Sequence, residues 1–92
     1  MAQRKALAGL IKGHVQGVFF RAKTRKQAEV LGLCGWVRNT ESGHVEVLIE
    51  GEQAQLESML IWLQRGPQLA RVDSLELEPC DPPGLASFEV RY

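Results

Sequence analysis

Hydrophobic and polar positions recur with two different periods along the first half of the chain. An apolar run over 5–12 is typical of a buried strand, and a loop with glycines follows it. From 20 to 31 the apolar residues recur at helical spacing, and Gly32 is a suitable residue to end that helix. The segments 34–39 and 44–50 have strand character and are separated by a short turn. The first half therefore predicts a strand, a helix and a β-hairpin.

The second half repeats the order of helix and strand. Glu52 opens a helix whose apolar stripe recurs at i, i+3, i+4 and i+7, and the pair Gly66-Pro67 ends it. That stripe consists of Leu56, Met59, Leu60 and Leu63. A strand over 72–78, a proline-rich loop and a short alternating segment over 88–92 complete the chain. The pattern thus adds a helix and two further strands.

The predicted order of elements is β-α-β-β-α-β with one extra strand at the end. This order is typical of an α+β, ferredoxin-like sandwich, in which an antiparallel sheet carries both helices on one face. A length of 92 residues suits one domain, so we expect residues 1–92 to form a single unit. The fold hosts many functions and does not by itself specify one.

Composition narrows the class of protein. No apolar stretch approaches the roughly 18 residues of a membrane span, and no apolar segment of a signal peptide follows the first basic residues. Cys34 and Cys80 lie far apart in a chain without a secretory signal, which favours reduced thiols in the cytoplasm. The two cysteines and two histidines lack the paired spacing of a zinc site, so we expect no metal.

Charge is distributed unevenly although the formal net charge is zero. Before position 41 Glu29 is the single acidic residue, whereas basic residues are frequent. They are Arg4, Lys5, Lys12, Arg21, Lys23, Arg25, Lys26 and Arg38. This half could attract an anion, but a solvated basic helix face would give the same pattern.

The segment from Gly13 to Arg21 carries the most specific chemistry. Glycines at 13 and 17 allow successive main-chain N–H groups to turn inward, and the start of a helix adds partial positive charge. The guanidinium of Arg21 suits two oxygens of one phosphate. Spacing alone also fits a turn that merely joins a strand to a helix. The segment matches neither the P-loop nor the dinucleotide fingerprint.

Asn39 lies where the second strand ends. Its carboxamide could hold a water molecule, although asparagine at a strand end more often supports a turn. Because the first and second strands of a β-α-β unit run parallel, their far ends meet at one edge of the sheet. We therefore expect Asn39 and the Gly13 loop to lie close together.

Two stretches resemble the signatures of the acylphosphatase family. Residues 11–21, IKGHVQGVFFR, are similar to the first signature, and residues 35–45, GWVRNTESGHV, closing at Gly51, are similar to the second. Weaker similarity continues through 66–72 and 88–92, so the resemblance covers nearly the whole chain. It implies a five-stranded sheet with two helices and the hydrolysis of carboxyl phosphates to a carboxylate and orthophosphate.

The resemblance also implies roles for individual residues. Arg21 corresponds to the family's phosphate-binding arginine, and Asn39 to the asparagine that positions the attacking water. The main-chain amides of the loop residues His14, Val15, Gln16, Gly17 and Val18 would bind the phosphate. No metal or cofactor is implied. His14 and Phe19 occupy positions at which the family varies.

Partners follow from the same reading. We expect a small-molecule acyl phosphate as substrate, a monomer in the cytoplasm, and no binding to nucleic acid or membrane. An RNA-binding ferredoxin-like module is the main alternative, although the strands lack paired aromatics and the RNP1 pattern. A domain that binds an anion without turning it over is a second alternative.

Overall fold

The computed structural model describes residues 3–92, whose elements follow the predicted order. In chain order these are β1 (Lys5–His14), α1 (Phe20–Val30), β2 (Cys34–Asn39), β3 (Val45–Gly51), α2 (Gln53–Arg65), β4 (Arg71–Cys80) and β5 (Phe88–Arg91). The largest differences from the prediction lie at the ends of β1 and β4. These strands pair with each other from Ala6–Cys80 to His14–Arg71, past an irregularity at Lys12/Gly13, and this pairing lengthens both.

The strands form one five-stranded sheet in the order β4-β1-β3-β2-β5. Neighbouring strands are antiparallel except β2 and β5, which pair in parallel from Gly35–Phe88 to Arg38–Arg91. The four strands β4-β1-β3-β2 form the antiparallel sheet that was expected, and β5 adds one parallel pair, so the complete five-stranded sheet is mixed. The physical reason is that β4 and β5 lie at opposite edges of the sheet. After β4 the chain passes along one end of the sheet to the other edge, and β5 then runs in the same direction as β2.

Both helices pack on the same face of the sheet. The predicted inward positions of β3, which are Val45, Val47 and Ile49, are fully buried there. They form one core with residues from both helices, namely Phe20, Ala28, Leu56, Met59 and Leu63. The predicted core faces of the two helices and the hairpin are thus confirmed. Within residues 3–92, no helix combines the length and the apolarity that crossing a membrane would require.

Glu50 is a charged residue in the interior of the protein, where its carboxylate is buried and 1% of the residue's surface is exposed. Residues 81–87, termed here the crossing segment, connect β4 to β5 along the edge of the sheet where β3 ends. The Glu50 carboxylate accepts hydrogen bonds from the N–H groups of Gly84 and Leu85 at 3.0–3.1 Å and from Arg4 Nε at 3.1 Å. Burial is tolerated because these donors replace water around the charge.

At the opposite end of the sheet, β1 and β2 end on either side of β3. Ile11 pairs with Val45, and Val45 pairs with Asn39, so these three residues form one row. Two strand spacings, about 10 Å, separate the outer members of that row. The loop after β1 and the end of β2 therefore share this edge.

Candidate active site

A cavity of about 660 Å³ opens at the edge where β1 and β2 end. It is bounded by the loop between β1 and α1, the first turns of α1, the last residue of β2 and the end of β5. The residues that line it include Val15, Gly17, Phe19, Arg21, Arg25, Lys26, Asn39 and Tyr92. We call it the main cavity.

Residues 15–19, termed here the amide loop, present unused main-chain donors. Among residues 3–92, no acceptor lies within hydrogen-bonding range of the N–H groups of residues 15–18. Gly17 has φ +74°, and an added Cβ would meet nothing within 4 Å, so glycine is needed there for backbone direction rather than for space. Adjacent amides without internal partners form a concavity suited to an anion.

The start of α1 is likewise left without a cap. Its N-cap residue is Phe19, whose side chain makes no capping hydrogen bond, and the first turn contains no acidic residue. The first N–H groups of a helix have no partner within the helix and carry partial positive charge. Because Phe19, Phe20, Arg21 and Ala22 all line the main cavity, a bound anion could take the place of the missing cap.

Arg21, in the first turn of α1, reaches from the helix to the end of β5. Its Nη1 donates to the carbonyl oxygen of Arg91 at 3.3 Å, and its guanidinium lies 4.7 Å from the centre of the Tyr92 ring. Within residues 3–92, no carboxylate lies within 4.0 Å of it. An arginine has five N–H donors, so most of this guanidinium's hydrogen-bonding capacity and all of its charge remain available to a ligand.

Asn39 is half-buried at the end of β2 and lines the same cavity. Its Oδ1 is buried without a hydrogen-bond partner among residues 3–92. Because Arg38 pairs with Arg91, whose carbonyl holds Arg21, Asn39 lies beside the strand end that carries the guanidinium. The structure therefore brings Arg21 and Asn39 to one cavity.

The side chain of Gln16 joins the amide loop to the β2–β3 turn. Its Nε2 donates to the carbonyl oxygens of Thr40 at 2.9 Å and of His44 at 2.7 Å. Thr40 N also donates to the His44 carbonyl at 2.9 Å, closing the turn that follows Asn39. This contact fixes the loop relative to Asn39, and sequence reasoning, which considered only the main chain of Gln16, missed it.

Not every residue singled out from the sequence faces the main cavity. Val15 and Gly17 line it, whereas Gln16 and Val18 do not. His14 is the last residue of β1, pairs with Arg71 and has an exposed side chain outside the cavity. Its role in phosphate binding stays a prediction from the resemblance alone.

Several lining residues were not identified from the sequence as part of the site. Arg25 and Lys26 belong to the basic helix face for which the sequence left anion attraction and simple solvation open; both are exposed, and both line the main cavity. Glu29 is the one acidic lining residue, and it forms an ion pair with Arg25 at 3.5 Å. Arg25 follows Arg21 by four residues and Glu29 follows Arg25 by four, a spacing that could have indicated a shared helix face. The lining therefore has an excess of positive charge, which favours anions.

Candidate metal ligands do not gather at this site or elsewhere within residues 3–92, where no three His, Cys, Asp or Glu side chains form a cluster. Cys34 and Cys80 are both free thiols, half-buried and exposed respectively. The polar groups on the main cavity are thus the Arg21 guanidinium, further cations, one carboxylate that is paired with Arg25, main-chain donors and a neutral carboxamide. Such a set can bind a phosphate and hold a water beside it.

Comparison with protein families gives a match over nearly the whole chain. The family model described as Acylphosphatase matches residues 7–90. An acylphosphatase of Pseudomonas paraeruginosa is 52% identical over 88 residues, which cover 96% of this chain and 97% of that protein. An acylphosphatase of Anaeromyxobacter dehalogenans is 43% identical over 93 residues and matches over the full length of both.

Solved structures agree in fold. An acylphosphatase from Coxiella burnetii superimposes with a TM-score of 0.92 at 38% sequence identity, covering 96% of this chain and 93% of that one. An acylphosphatase from Bacillus subtilis superimposes with a TM-score of 0.91 at 28% identity, covering 98% of this chain and 100% of that one.

Proposed function

The chain belongs to the acylphosphatase family and hydrolyses acyl phosphates, and we propose that Arg21, the amide loop and Asn39 carry out this reaction. In this proposal Arg21 and main-chain amides from residues 14–18 bind the phosphate, while Asn39 positions the attacking water. The observation that supports it most directly is the single cavity lined by both Arg21 and Asn39. The unused N–H groups of residues 15–18 support it further.

Phosphate binding follows from the charges around the cavity. Phosphoryl transfer depends mainly on positioning and on stabilising charge on the three equatorial oxygens. The unpaired guanidinium of Arg21 can contact two of these oxygens, and the amide loop and the uncapped start of α1 can contact the third. Arg91 and Tyr92 hold the guanidinium in place before substrate arrives, which reduces the reorganisation needed in the transition state.

Asn39 acts on the nucleophile. In this proposal the carboxamide of Asn39, which lines the main cavity, holds a water in line with the bond to the acyl oxygen. The water oxygen bonds to phosphorus while the bond from phosphorus to the acyl oxygen breaks, and the carboxylate departs with that electron pair. The proton lost by the water passes to a phosphate oxygen of the substrate, so orthophosphate and a carboxylate are released.

The leaving group explains why so few protein groups suffice. A carboxylic acid has a pKa of about 4 to 5, as Asp and Glu do, so its anion leaves at neutral pH without a general acid. Glu29 is the one acidic residue lining the main cavity, and Arg25 is its ion-pair partner. Phosphate monoesters have alkoxide leaving groups that need a proton, and we therefore expect poor activity on them.

Hydrolysis of benzoyl phosphate, with orthophosphate as competitor, tests the proposal. Arg21→Lys keeps the charge but loses the planar fork, so kcat/KM should fall and orthophosphate should inhibit more weakly. Arg38→Lys is the matched control, since Arg38 forms an ion pair with Glu46 and does not line the cavity. If both variants retained wild-type kinetics, the role assigned to Arg21 would be wrong.

The same experiment separates the alternatives. Turnover with competition by orthophosphate supports the enzyme, whereas phosphate binding without turnover would support a domain that only binds anions. Tight RNA binding with neither turnover nor phosphate binding would support the RNA-binding module. In that case the open face of the sheet would bind the RNA, with Trp36 as its aromatic residue.

Further properties belong to the proposal. We propose a single-domain monomer that acts in the cytoplasm on a small-molecule substrate without metal or cofactor, and that binds neither nucleic acid nor membrane. The two free thiols suit a reducing compartment. Size-exclusion chromatography with light scattering, and turnover after treatment with a chelator, test the oligomeric state and the independence from metal.

A further inference from the structure

A second hollow lies beside the main cavity. It measures about 400 Å³ and is formed by the amide loop, the end of α2 and the segment that follows α2. Its apolar wall consists of Val18, Phe19, Trp62, Pro67 and Leu69, and Lys23 is the one charged residue that lines it. Phe19 is the residue that this hollow shares with the main cavity.

Phe19 has an unusual backbone and an unusual exposure. It is the one non-glycine residue among 3–92 with positive φ, at +61°, and 72% of its surface is exposed. The left-handed conformation is unfavourable for a bulky residue, and here no burial of the ring offsets it. Leu69, which also lines the hollow, is 67% exposed. A strained residue and two exposed apolar side chains at the mouth of a cavity indicate a ligand surface.

The second hollow and the exposed ring of Phe19 bear on the direction in which the acyl group of the substrate extends from the phosphate. When phosphate is held by Arg21 and the amide loop, the acyl group must leave the main cavity along one of its walls. Arg25 and Lys26 make part of the lining cationic, whereas Phe19, Val90 and Tyr92 make other parts apolar, and of these Phe19 is the residue that also lines the second hollow. An apolar acyl group is stabilised by the apolar parts of the lining and not by the cationic part.

We propose that Phe19 and the second hollow receive the acyl group, so that the enzyme favours acyl phosphates whose acyl group is aromatic or otherwise large and apolar. The inference rests on the proposed function, because it requires phosphate at Arg21. It adds a substrate class and a specificity-determining residue. Aromatic rings gain from stacked or edge-to-face contact with Phe19 beyond the area they bury.

The test compares benzoyl phosphate with acetyl phosphate in one assay. Phe19→Gly is the main variant, because glycine adopts φ +61° without strain and so removes the ring while preserving the start of α1. We expect the ratio of kcat/KM for benzoyl to acetyl phosphate to fall about tenfold, mainly through KM for benzoyl phosphate. Leu69→Ala should lower the ratio by a smaller factor. The control Ile61→Ala, which removes an equally exposed apolar side chain from α2 outside both hollows, should leave the ratio unchanged.

The outcomes distinguish failure of the inference from failure of the proposed function. An unchanged ratio in both Phe19→Gly and Leu69→Ala would overturn the inference, since the acyl group would then lie elsewhere. An equal loss on both substrates would also overturn it, because Phe19 would then shape the amide loop rather than contact the acyl group. Failure of the wild-type protein to hydrolyse either substrate would instead refute the proposed function.

Discussion

Arg21 is held by partners that leave its charge intact. A main-chain carbonyl and an aromatic ring orient the guanidinium, and within residues 3–92 no carboxylate within 4.0 Å neutralises it. A salt bridge would position the side chain equally well, but a dianionic ligand would then have to displace the carboxylate. The arrangement therefore combines a fixed orientation with an intact charge, which suits the phosphate binding that we propose for Arg21.

We propose that Asn39 acts on the water and not on the phosphate, and this distinction can be measured. In Asn39→Ala, kcat should fall by about 10²-fold or more, the effect typical of a lost transition-state contact. Inhibition by orthophosphate should stay near the wild-type value. Ser42→Ala, in the exposed turn after Asn39, is the control. Hydrolysis of benzoyl phosphate by Asn39→Ala at the wild-type rate would disprove this role.

At the scale of elements, the amide loop owes its shape to a contact with the hairpin. The loop keeps its own N–H groups free, so it lacks the internal hydrogen bonds that usually stabilise a turn. Gln16 supplies the missing restraint through the Thr40 and His44 carbonyls. The amide loop can therefore keep its N–H groups free for a ligand because the side chain of Gln16 fixes it to the hairpin.

Loss of that restraint should affect activity more than stability. In Gln16→Ala we expect kcat/KM to fall by about ten- to a hundredfold, because small misplacements of binding groups are costly in catalysis. The free energy of unfolding should fall by only about 1 to 2 kcal/mol. Gln53→Ala, which removes an exposed amide bonded to Glu57, is the control for truncation. Similar kinetics in both variants would contradict the restraint.

The crossing segment depends on Glu50 at the other end of the sheet. Roughly 19 Å, four strand spacings, separate β4 from β5, and residues 81–87 cover this distance as neither helix nor strand. The Glu50 carboxylate provides acceptors for Gly84 and Leu85 and a partner for Arg4. Glu50 therefore fixes the crossing segment, which leads into β5 and so to Tyr92 at the edge of the sheet beside β2.

Replacing that carboxylate should destabilise the whole fold. Glu50→Gln leaves buried donors facing an amide group, and we expect a loss of about 3 kcal/mol in the free energy of unfolding by urea. Glu46→Gln, on the same strand but paired with the exposed Arg38, should cost less than about 1 kcal/mol. Equal costs would show that burial of Glu50 is unimportant.

Across the whole molecule, the main cavity and the crossing segment lie at opposite ends of one sheet. The main cavity lies where β1 and β2 end, and the crossing segment covers the end where β3 leaves the sheet. The core between them is formed by side chains of both helices on one face. Changes at the crossing segment should consequently alter stability, whereas changes at the cavity should alter kinetics.

The stability of the molecule in acid should depend on the ion pair between Lys12 and Glu76. The hydrogen bond from Lys12, at 2.9 Å, lowers the pKa of Glu76 below its usual 4.5. A lowered pKa in the folded state contributes stability above pH 4.5, and this contribution disappears as pH falls through the folded value. Unfolding measured from pH 7 to 3 should therefore show a shallower loss in Glu76→Gln than in wild type.

Glu57→Gln is the control for that measurement, because Glu57 contacts the side chain of Gln53 rather than a lysine. The pH dependence of the control should match that of wild type. If Glu76→Gln and wild type lost stability in parallel across this range, the ion pair would make no contribution.

The sequence by itself determined the order of the elements and the inward faces of both helices and of β3. These features depend on local periodicity, which Val45, Val47 and Ile49 carry in β3 and Leu56, Met59 and Leu63 carry in α2. It also identified Arg21, Asn39 and the glycine-containing loop as site candidates, mainly through the resemblance of residues 11–21 and 35–45 to the acylphosphatase signatures, since spacing alone also fitted ordinary turns.

Only the tertiary structure decided what joins those features. Gln16 and Thr40 lie 24 residues apart, and Arg21 and Arg91 lie 70 apart, so no local pattern connects either pair. The parallel direction of β5, the burial of Glu50 and the left-handed backbone of Phe19 likewise depend on how distant segments pack. Local periodicity reports which side chains avoid water, whereas partners across the sheet follow from topology, and the chemistry of the site depends on those partners.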